Sequence, residues 1–463
     1  MSKRRGWRTV RAGLVAASLL AASLAQAAPL TLPAMTRARL GNGLTVLVVP
    51  STRLPLVDFR LVARVGSVDD PAGKEGLAAL TAELLTQGAA GRSATQIAGD
   101  IAFVGGTLAA GAGREQITVS CEVLRKDFDT GLALFRDVIA SPSFPAEEFQ
   151  RQRDEALGQI AAQRNDPSTV ADLALGPFLL GDSPLAHPVL GSARSVATLT
   201  REDVVAFHGR FMRPDNAVLA VVGDVDPRAT VAALEKAFAG WKSSGEKRPE
   251  SYRAVPQLPG RRLRVIRRAE ITQTQIRMAC MGVPRNHPDY YPIQVANTIL
   301  GGGFTSRLVD EVRVHQGLTY GISSDFTMWR NAGTFGISTF TRNESIRQLV
   351  DAVLAEVARL RDQGPREEEL ASAKRYLTGQ FPLGLQSPDD LAEQILAVEF
   401  YGLEPDHLQG FSARIDAVTM EDVRRALKSY FCVEDLRILL VSNPEAALPL
   451  LQGLGTVEVE DPE

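Results

Sequence analysis

The sequence predicts two homologous α+β domains, and three observations support this prediction. A chain of 463 residues is too long for one hydrophobic core and suits two domains of about 200 residues each. A composition of 45% hydrophobic and 23% charged residues is typical of a globular protein. Finally, the segment that begins at Val196 is echoed by one that begins at Ile415, 219 positions later. An internal repeat of this length indicates a duplicated domain.

The elements of the first half can be read in chain order. Asn42-Gly43 favours a two-residue hairpin turn, because both residues adopt positive φ readily. Leucines at helical spacing after Gly76 predict a helix, and Pro145 is placed to begin another. The predicted strands are 44–49, 57–65 and 116–123, and the predicted helices are 76–85, 128–139 and 146–163.

The second half repeats parts of this pattern at nearly the same offset. The strand pattern 217–222 returns at 436–441, and the helical pattern after Pro145 returns after Pro365. Between the halves, a stretch rich in Pro, Ser and Gly has little periodicity and predicts a linker. The predicted divisions are 1–27 for a signal peptide, 28–242 and 261–447 for the two domains, 243–260 for the linker and 448–463 for a C-terminal tail.

The N-terminus has the form of a secretory signal. Five basic residues lie within the first 11 positions, an apolar run follows from Ala12 to Leu24, and Ala25-Gln26-Ala27 resembles a cleavage site. The apolar run is shorter than the roughly 20 residues that span a bilayer, although an uncleaved anchor is the alternative. We expect export to the periplasm of a Gram-negative bacterium, by a route that the sequence does not settle, and no membrane span in the mature chain.

Charge and cysteine usage exclude some classes of function. A net charge of −3 gives no support to nucleic-acid binding. The one internal basic cluster, within 261–268, predicts a solvated strand edge or, alternatively, a binding patch. Cys121, Cys280 and Cys432 are odd in number and far apart, so we expect buried free thiols rather than a disulfide framework.

Several motifs together resemble the M16 family of zinc peptidases. They are Gly66 to Ala78, Pro188 to Gly191, Arg213 to Asn216 with Gly223 to Val225, and Leu300 to Gly303 with Ser306 to Leu308 and Gly317 to Tyr320. The resemblance spans about Met35 to Asn443. It implies that each domain is a mainly antiparallel sheet packed with helices, and that the two domains enclose a chamber with a partner subunit.

The sequence departs from the family at the zinc motif His-x-x-Glu-His. This chain has Ala79 and Glu83 at the two histidine positions and Ala82 at the position of the catalytic glutamate. The family's third ligand falls near Gln159, or near Glu155 if the alignment slips by one turn. Zinc needs imidazole, thiolate or carboxylate ligands that converge from neighbouring positions, and no two of the five histidines are three or four residues apart. We therefore expect no metal in this chain and zinc in its partner.

The resemblance assigns site residues to the second half. Arg307 and Tyr320 match an Arg/Tyr pair that, in family members with this pattern, reaches the zinc-bound peptide. An arginine can donate to peptide carbonyls, and a tyrosine hydroxyl can stabilise an oxyanion. Alternatively, Arg307 pairs with Asp310 or Glu311 and Tyr320 simply packs. Gly301, Gly302 and Gly303 are predicted to let a peptide backbone pass, or to form a flexible connection.

These inferences define one leading function and two rivals. The leading prediction is a non-catalytic subunit of a heterodimeric zinc endopeptidase that acts on peptides or unfolded segments. Its partner would carry the intact His-x-x-Glu-His. The first rival is a peptide-binding or scaffold protein without proteolysis. The second is an active enzyme with a relocated metal site at Glu83, Glu155 or Gln159.

Overall fold

The computed structural model describes residues 33–243, 252, 255 and 259–461, which belong to one compact unit. The predicted signal peptide and most of the predicted linker lie outside the described residues. Within the described residues, no helix has both the length and the apolar character that crossing a membrane requires.

Helices and strands follow each other in a mixed order. The strands are β1 Thr36–Arg39, β2 Thr45–Pro50, β3 Leu56–Ala63, β4 Gly88–Ala89, β5 Arg92–Ser93, β6 Thr107–Ala112, β7 Ile117–Leu124, β8 Ala217–Gly223, β9 Arg262–Arg267, β10 Gln273–Met281, β11 Ile322–Met328, β12 Gly333–Arg342, β13 Arg437–Ser442 and β14 Thr456–Glu460. The α-helices are α1 Leu77–Leu84, α2 Ala94–Phe103, α3 Phe128–Ala140, α4 Ala146–Gln163, α5 Pro167–Leu180, α6 Ala193–Thr198, α7 Arg201–Phe211, α8 Pro227–Phe238, α9 Tyr290–Asn297, α10 Ile346–Gln363, α11 Glu367–Gln380, α12 Pro388–Tyr401, α13 His407–Ala417, α14 Met420–Tyr430 and α15 Pro444–Ala447. Two π-helical turns, Thr298–Gly302 and Val309–His315, follow α9.

Each half of the chain forms a six-stranded sheet, and five strands of each sheet repeat one order. The outermost strand differs, because β1 is antiparallel to β2 whereas β14 is parallel to β9. The first runs β1-β2-β8-β3-β7-β6 and the second runs β14-β9-β13-β10-β12-β11. In both, one interior pair is parallel (β2 with β8, β9 with β13), while the next three pairs are antiparallel. The predicted α+β class with two homologous halves is confirmed.

The two halves exchange a helix. Helix α5 of the first half packs on β10 and β13 of the second sheet, and α12 of the second half packs on β3 and β8 of the first. Beneath α5, Phe178 and Ala171 contact Ile266, Leu439 and Val441 in a buried apolar cluster. Because each sheet buries a face under a helix from the other half, the halves interlock.

An ion pair from a central strand to the incoming helix accompanies each exchange. Arg277 on β10 donates from Nε to Oδ1 of Asp172 on α5 at 2.5 Å. At the equivalent place, Arg60 on β3 lies 3.7 Å from Glu393 on α12 and also pairs with Asp389. Buried arginines are expensive to leave without a carboxylate, so these pairs favour the exchanged arrangement.

The cysteine prediction was wrong for two of the three residues. Cys280, at the end of β10, and Cys432, just after α14, form a disulfide across a separation of 152 residues. Cys121 is a buried free thiol, as expected. The pairing joins residues that are distant in sequence, so their spacing gave no sign of it.

The internal arginine cluster lies on and beside β9, and two of its arginines pair with carboxylates near the C-terminus. Arg264 pairs with Glu458 at 2.7 Å and with Glu460 at 2.9 Å, and Arg267 pairs with Asp461 at 2.7 Å. These acidic residues belong to β14 and the residue after it. The stretch predicted as a C-terminal tail therefore supplies the edge strand of the second sheet, which the sequence analysis missed.

Candidate functional site

The loop before α1 is held by one half-buried carboxylate and two glycines that pack closely against backbone carbonyls. Asp70 accepts hydrogen bonds from the backbone N–H groups of Gly76 and Ala78, both at 2.8 Å. Gly76 has φ +100°, and a Cβ there would lie 2.5 Å from the carbonyl oxygen of Leu190; a Cβ at Gly191 would lie 2.0 Å from that of Glu75. Two of the motifs that suggested the family therefore pack on each other and fix the start of α1.

Helix α1 carries the positions that match the zinc motif. Ala79 and Ala82 are buried, whereas Glu83 is exposed on the same helix. Burial and the nearby carboxylate of Glu155 on α4 raise the pKa of Glu83. Gln159 is exposed one turn further along α4. Two carboxylates and an amide are a poor donor set for zinc, and the described residues contain no group of three or more His, Cys, Asp or Glu placed to hold a metal.

The glycine turn after α9 combines a packing role with access to a cavity. A Cβ on buried Gly301 would lie 2.5–2.9 Å from atoms of Ser324 on β11, and one on Gly302 would lie 2.9 Å from the Asn297 amide. Gly303 is less crowded, with Thr298 as the nearest neighbour at 3.6 Å, and it lines a cavity of about 400 Å³. Of the three glycines, Gly303 alone lines a cavity and leaves room beside its backbone, as a passing peptide would need.

Arg307 is engaged by carboxylates, but not by those considered in the sequence analysis. It donates to Glu369 on α11 from Nε at 2.8 Å and from Nη2 at 2.7 Å. Its Nη1 lies 3.5 Å from Glu356 on α10, a carboxylate with only 2% of its side chain exposed. This arrangement ties the second π-helical turn to α10 and α11.

The charge of Glu369 is stabilised by this arrangement. Desolvation by itself would raise the pKa of Glu369, but hydrogen bonds from Arg307 and Arg366 outweigh it and lower the pKa to about 2. The hydrogen bond with Glu369 in turn raises the pKa of Arg307. A bidentate arginine–carboxylate pair of this kind is among the stronger ion pairs in proteins. Most donors of Arg307 are therefore occupied.

Tyr320 lies in a different environment, beside an arginine that the sequence analysis did not select. Its side chain is exposed, with 79% of the residue accessible, and so is Phe304, with 76% accessible. The guanidinium of Arg313 lies 5.0 Å from the ring centroid of Tyr320 and 5.2 Å from that of Phe304. A cation within about 6 Å of a ring centroid is attracted to its face. Arg313 is thus held between two exposed aromatic rings.

Comparison with known proteins places the chain in a family. Residues 46–192 match the profile described as insulinase, peptidase family M16, and residues 198–377 match the one described as the peptidase M16 inactive domain. A Mycobacterium tuberculosis protein described as an uncharacterized zinc protease is 30% identical over 364 residues, which are 78% of this chain and 82% of that protein. The chain belongs to peptidase family M16.

Other M16 relatives agree with this assignment. An uncharacterized zinc protease of Streptomyces coelicolor is 28% identical over 393 residues, or 84% of this chain and 85% of that protein. The crystal structure of a peptidase M16 inactive domain from Pseudomonas fluorescens has 30% identity and a TM-score of 0.82, covering 88% of this chain and 97% of that one. A chain of complex III2 from Candida albicans, at 21% identity and a TM-score of 0.76 over 89% of this chain and 97% of that one, shares the fold.

Within this M16 fold, the site residues predicted in the second half of the chain lie in three places. Gly303 and Phe304 line the cavity beside α11, and Arg307 lines a second, polar cavity that shares Glu369 with the first. The Arg313 guanidinium lies over both the Tyr320 ring and the Phe304 ring, and so connects Tyr320 with the first cavity. Arg313 lies between the motifs Ser306 to Leu308 and Gly317 to Tyr320, so only its closeness to them in sequence could have indicated it. Glu356 and Glu369 come from later helices, and nothing local in the sequence connects them with Arg307.

Proposed function

We propose that the chain is the non-catalytic, substrate-binding subunit of a heterodimeric M16 zinc endopeptidase that cleaves peptides or unfolded segments. The observation that carries the proposal is the pair of exposed rings, Tyr320 and Phe304, with Arg313 beside both. They belong to a chain whose α1 carries Ala79 in place of a histidine ligand and Ala82 in place of the water-activating glutamate. In this arrangement the partner supplies zinc and the glutamate that activates water. This chain supplies donors to the peptide held there.

The geometry favours Arg313 over Arg307 as the guanidinium that acts with Tyr320. Glu369 occupies two nitrogens of Arg307, whereas Arg313 stacks directly on the Tyr320 ring. A tyrosine hydroxyl aimed at the scissile carbonyl would stabilise its developing negative charge, and a guanidinium beside it would bind peptide carbonyls. Arg307 would then act as the anchor that holds the π-helical turn in place.

Two further features support the proposal. Strand β6 is an edge strand of the first sheet and packs against α1, and its run of small residues leaves an extended peptide room to pair with it. The Cys280–Cys432 disulfide is consistent with export, because disulfides persist in oxidising compartments such as the periplasm. The zinc-protease descriptions of the relatives support an origin in zinc-dependent proteolysis.

The test is reconstitution with an exported M16 protein from the same organism that carries His-x-x-Glu-His. We expect Tyr320→Phe to lower partner-dependent peptide cleavage by about 10- to 1000-fold, the range seen when one oxyanion donor is lost. Arg313→Gln should lower it as well. As a matched control, Arg342→Gln alters an exposed arginine whose ion-pair partner is Glu344 and should leave cleavage unchanged.

Two outcomes lead to the rival functions. If the complex forms and cleaves peptide equally well with Tyr320→Phe and Arg313→Gln, the chain acts as a scaffold, the alternative suggested by the shared fold with a complex III2 chain. If the mature chain purified alone retains close to one zinc per chain after dialysis against chelator, a relocated site at Glu83, Glu155 or Gln159 becomes the better explanation. We expect near-zero zinc.

A further inference from the structure

A third cavity lies where the two halves meet, outside the candidate site. It has a volume of about 220 Å³ and lies between α4 and the exchanged helix α5 on one side and β9 with the end of β14 on the other. Its apolar lining comes mainly from Ile160, Val170, Leu173, Ala174, Pro177 and Ile266. The cavity is therefore an apolar space at the junction that the helix exchange creates.

Positive charge is concentrated at this cavity. Arg164, Arg264 and Arg268 all line it. The acidic lining residues, Glu460 and Asp461, are already paired, with Arg264 at 2.9 Å and with Arg267 at 2.7 Å. These pairs neutralise Arg264, but they leave the charges of Arg164 and Arg268 in excess.

Arg268 is the residue that points to a ligand. Its Nε is buried and has no hydrogen-bond partner in the described part of the chain. Its Nη2 donates to the backbone carbonyl of Arg164, which fixes the guanidinium at the cavity wall. Its nearest carboxylate is that of Glu270, at 3.9 Å from Nη1. Nη1 therefore has no hydrogen-bond partner closer than this carboxylate among the described residues, and an anion in the cavity would provide one.

The size of the cavity limits the ligand. A dry protein cavity of about 150 Å³ holds benzene, so about 220 Å³ has room for about nine apolar atoms. We propose that the cavity binds a small amphipathic carboxylate, aliphatic or aromatic, whose apolar body lies against α5 and whose carboxylate accepts from Arg268. Such a ligand would join α5 of the first half to β9 of the second. It would therefore stabilise the junction between the halves, whatever the chain does with peptides.

The test uses sodium octanoate with the mature chain, which begins at Ala28. We expect saturable binding by calorimetry and a melting temperature that rises with octanoate concentration. Octanol, which has the same apolar body without the charge, should bind at least 10-fold more weakly. Arg268→Met should weaken octanoate binding by about 10- to 100-fold, the loss expected for a charge-assisted hydrogen bond.

Two further variants separate this site from non-specific binding. Ala174→Phe places a ring in the cavity and should abolish octanoate binding, while Arg342→Met, on an exposed arginine of another region, should leave it unchanged. Circular dichroism and the melting temperature without ligand identify any variant that fails to fold, and the octanoate–octanol comparison on the unaltered chain does not depend on a variant. The proposal is overturned if octanoate shows no saturable binding, if octanol binds equally well, or if folded Arg268→Met or Ala174→Phe binds octanoate with unchanged affinity.

Discussion

Removing the Cys280–Cys432 disulfide should destabilise the folded protein by several kcal/mol. The bridge closes a loop of 152 residues, and chain entropy for a loop of that length amounts to about 17 cal/mol/K, or about 5 kcal/mol at 25 °C. This value is an upper estimate, because residual structure in the unfolded chain reduces it. The perturbation is the double variant Cys280→Ala with Cys432→Ala, compared with Cys121→Ala, which removes a buried thiol but no cross-link.

The assay is urea unfolding of both variants and of the unaltered chain, followed by tryptophan fluorescence. We expect the double variant to lose clearly more free energy of unfolding than Cys121→Ala. Counting reactive thiols provides an independent check. Burial, with the charges of Asp58 and Glu122, raises the pKa of Cys121 to about 12. Because this thiol is then unreactive in the folded chain, the count must be made on the unfolded chain. One reactive thiol per chain is expected. Three thiols in protein purified from an oxidising compartment, or equal stability of the two variants, would refute the reasoning.

Three further predictions concern stability and can be checked by thermal or denaturant unfolding. Asp172→Asn removes the carboxylate partner of buried Arg277 and should cost about 1 to 2 kcal/mol, because Asp172 itself is largely exposed. Gly191→Ala should lower the free energy of unfolding by more than about 2 kcal/mol, since its Cβ would lie 2.0 Å from a backbone carbonyl oxygen. Its control, Gly91→Ala, has a similar positive φ but open space around it and should lower that free energy by about 1 kcal/mol. Burial outweighs the attraction of a neighbouring arginine and raises the pKa of Asp58 to about 7. The folded state therefore loses stability through this group as pH rises from about 4 to 7. The melting temperature of Asp58→Asn minus that of the unaltered chain should be larger at pH 8 than at pH 4.5.

The sequence was informative where the structure depends on local pattern. The repeat between Val196 and Ile415 was readable because each copy begins a similar helix-to-strand segment, and five strands of each sheet follow one order. The loop motifs were readable because glycines at positive φ tolerate few replacements. The contacts of Gly76 with Leu190 and of Gly191 with Glu75 supply the physical reason for both motifs.

Other features depend on contacts between distant segments, and local sequence patterns do not reveal such contacts. The exchange of α5 and α12 is invisible in the pattern of either helix, because an apolar helical face does not specify which sheet covers it. The alternative role considered for Arg307 was pairing with Asp310 or Glu311 one turn away, whereas its carboxylate partner is Glu369, 62 positions away. Strand β14 was missed because its alternating acidic residues are typical of a solvated tail until the arginines of β9 are placed beside them.

The distribution of the site residues explains how a chain of this fold can do without zinc. A buried histidine without metal would leave a ring nitrogen in need of a partner, whereas Ala79 and Ala82 bring no polar group into the packed face of α1. Asp70 and the two glycines fix the start of this helix through contacts that involve no metal ligand. Tyr320 is the opposite case, because its ring is exposed and contributes little to the core. An exposed tyrosine aligned by a guanidinium is better explained by contact with a ligand or partner than by stability, and this contrast is the physical basis for assigning the chain a supporting role in proteolysis.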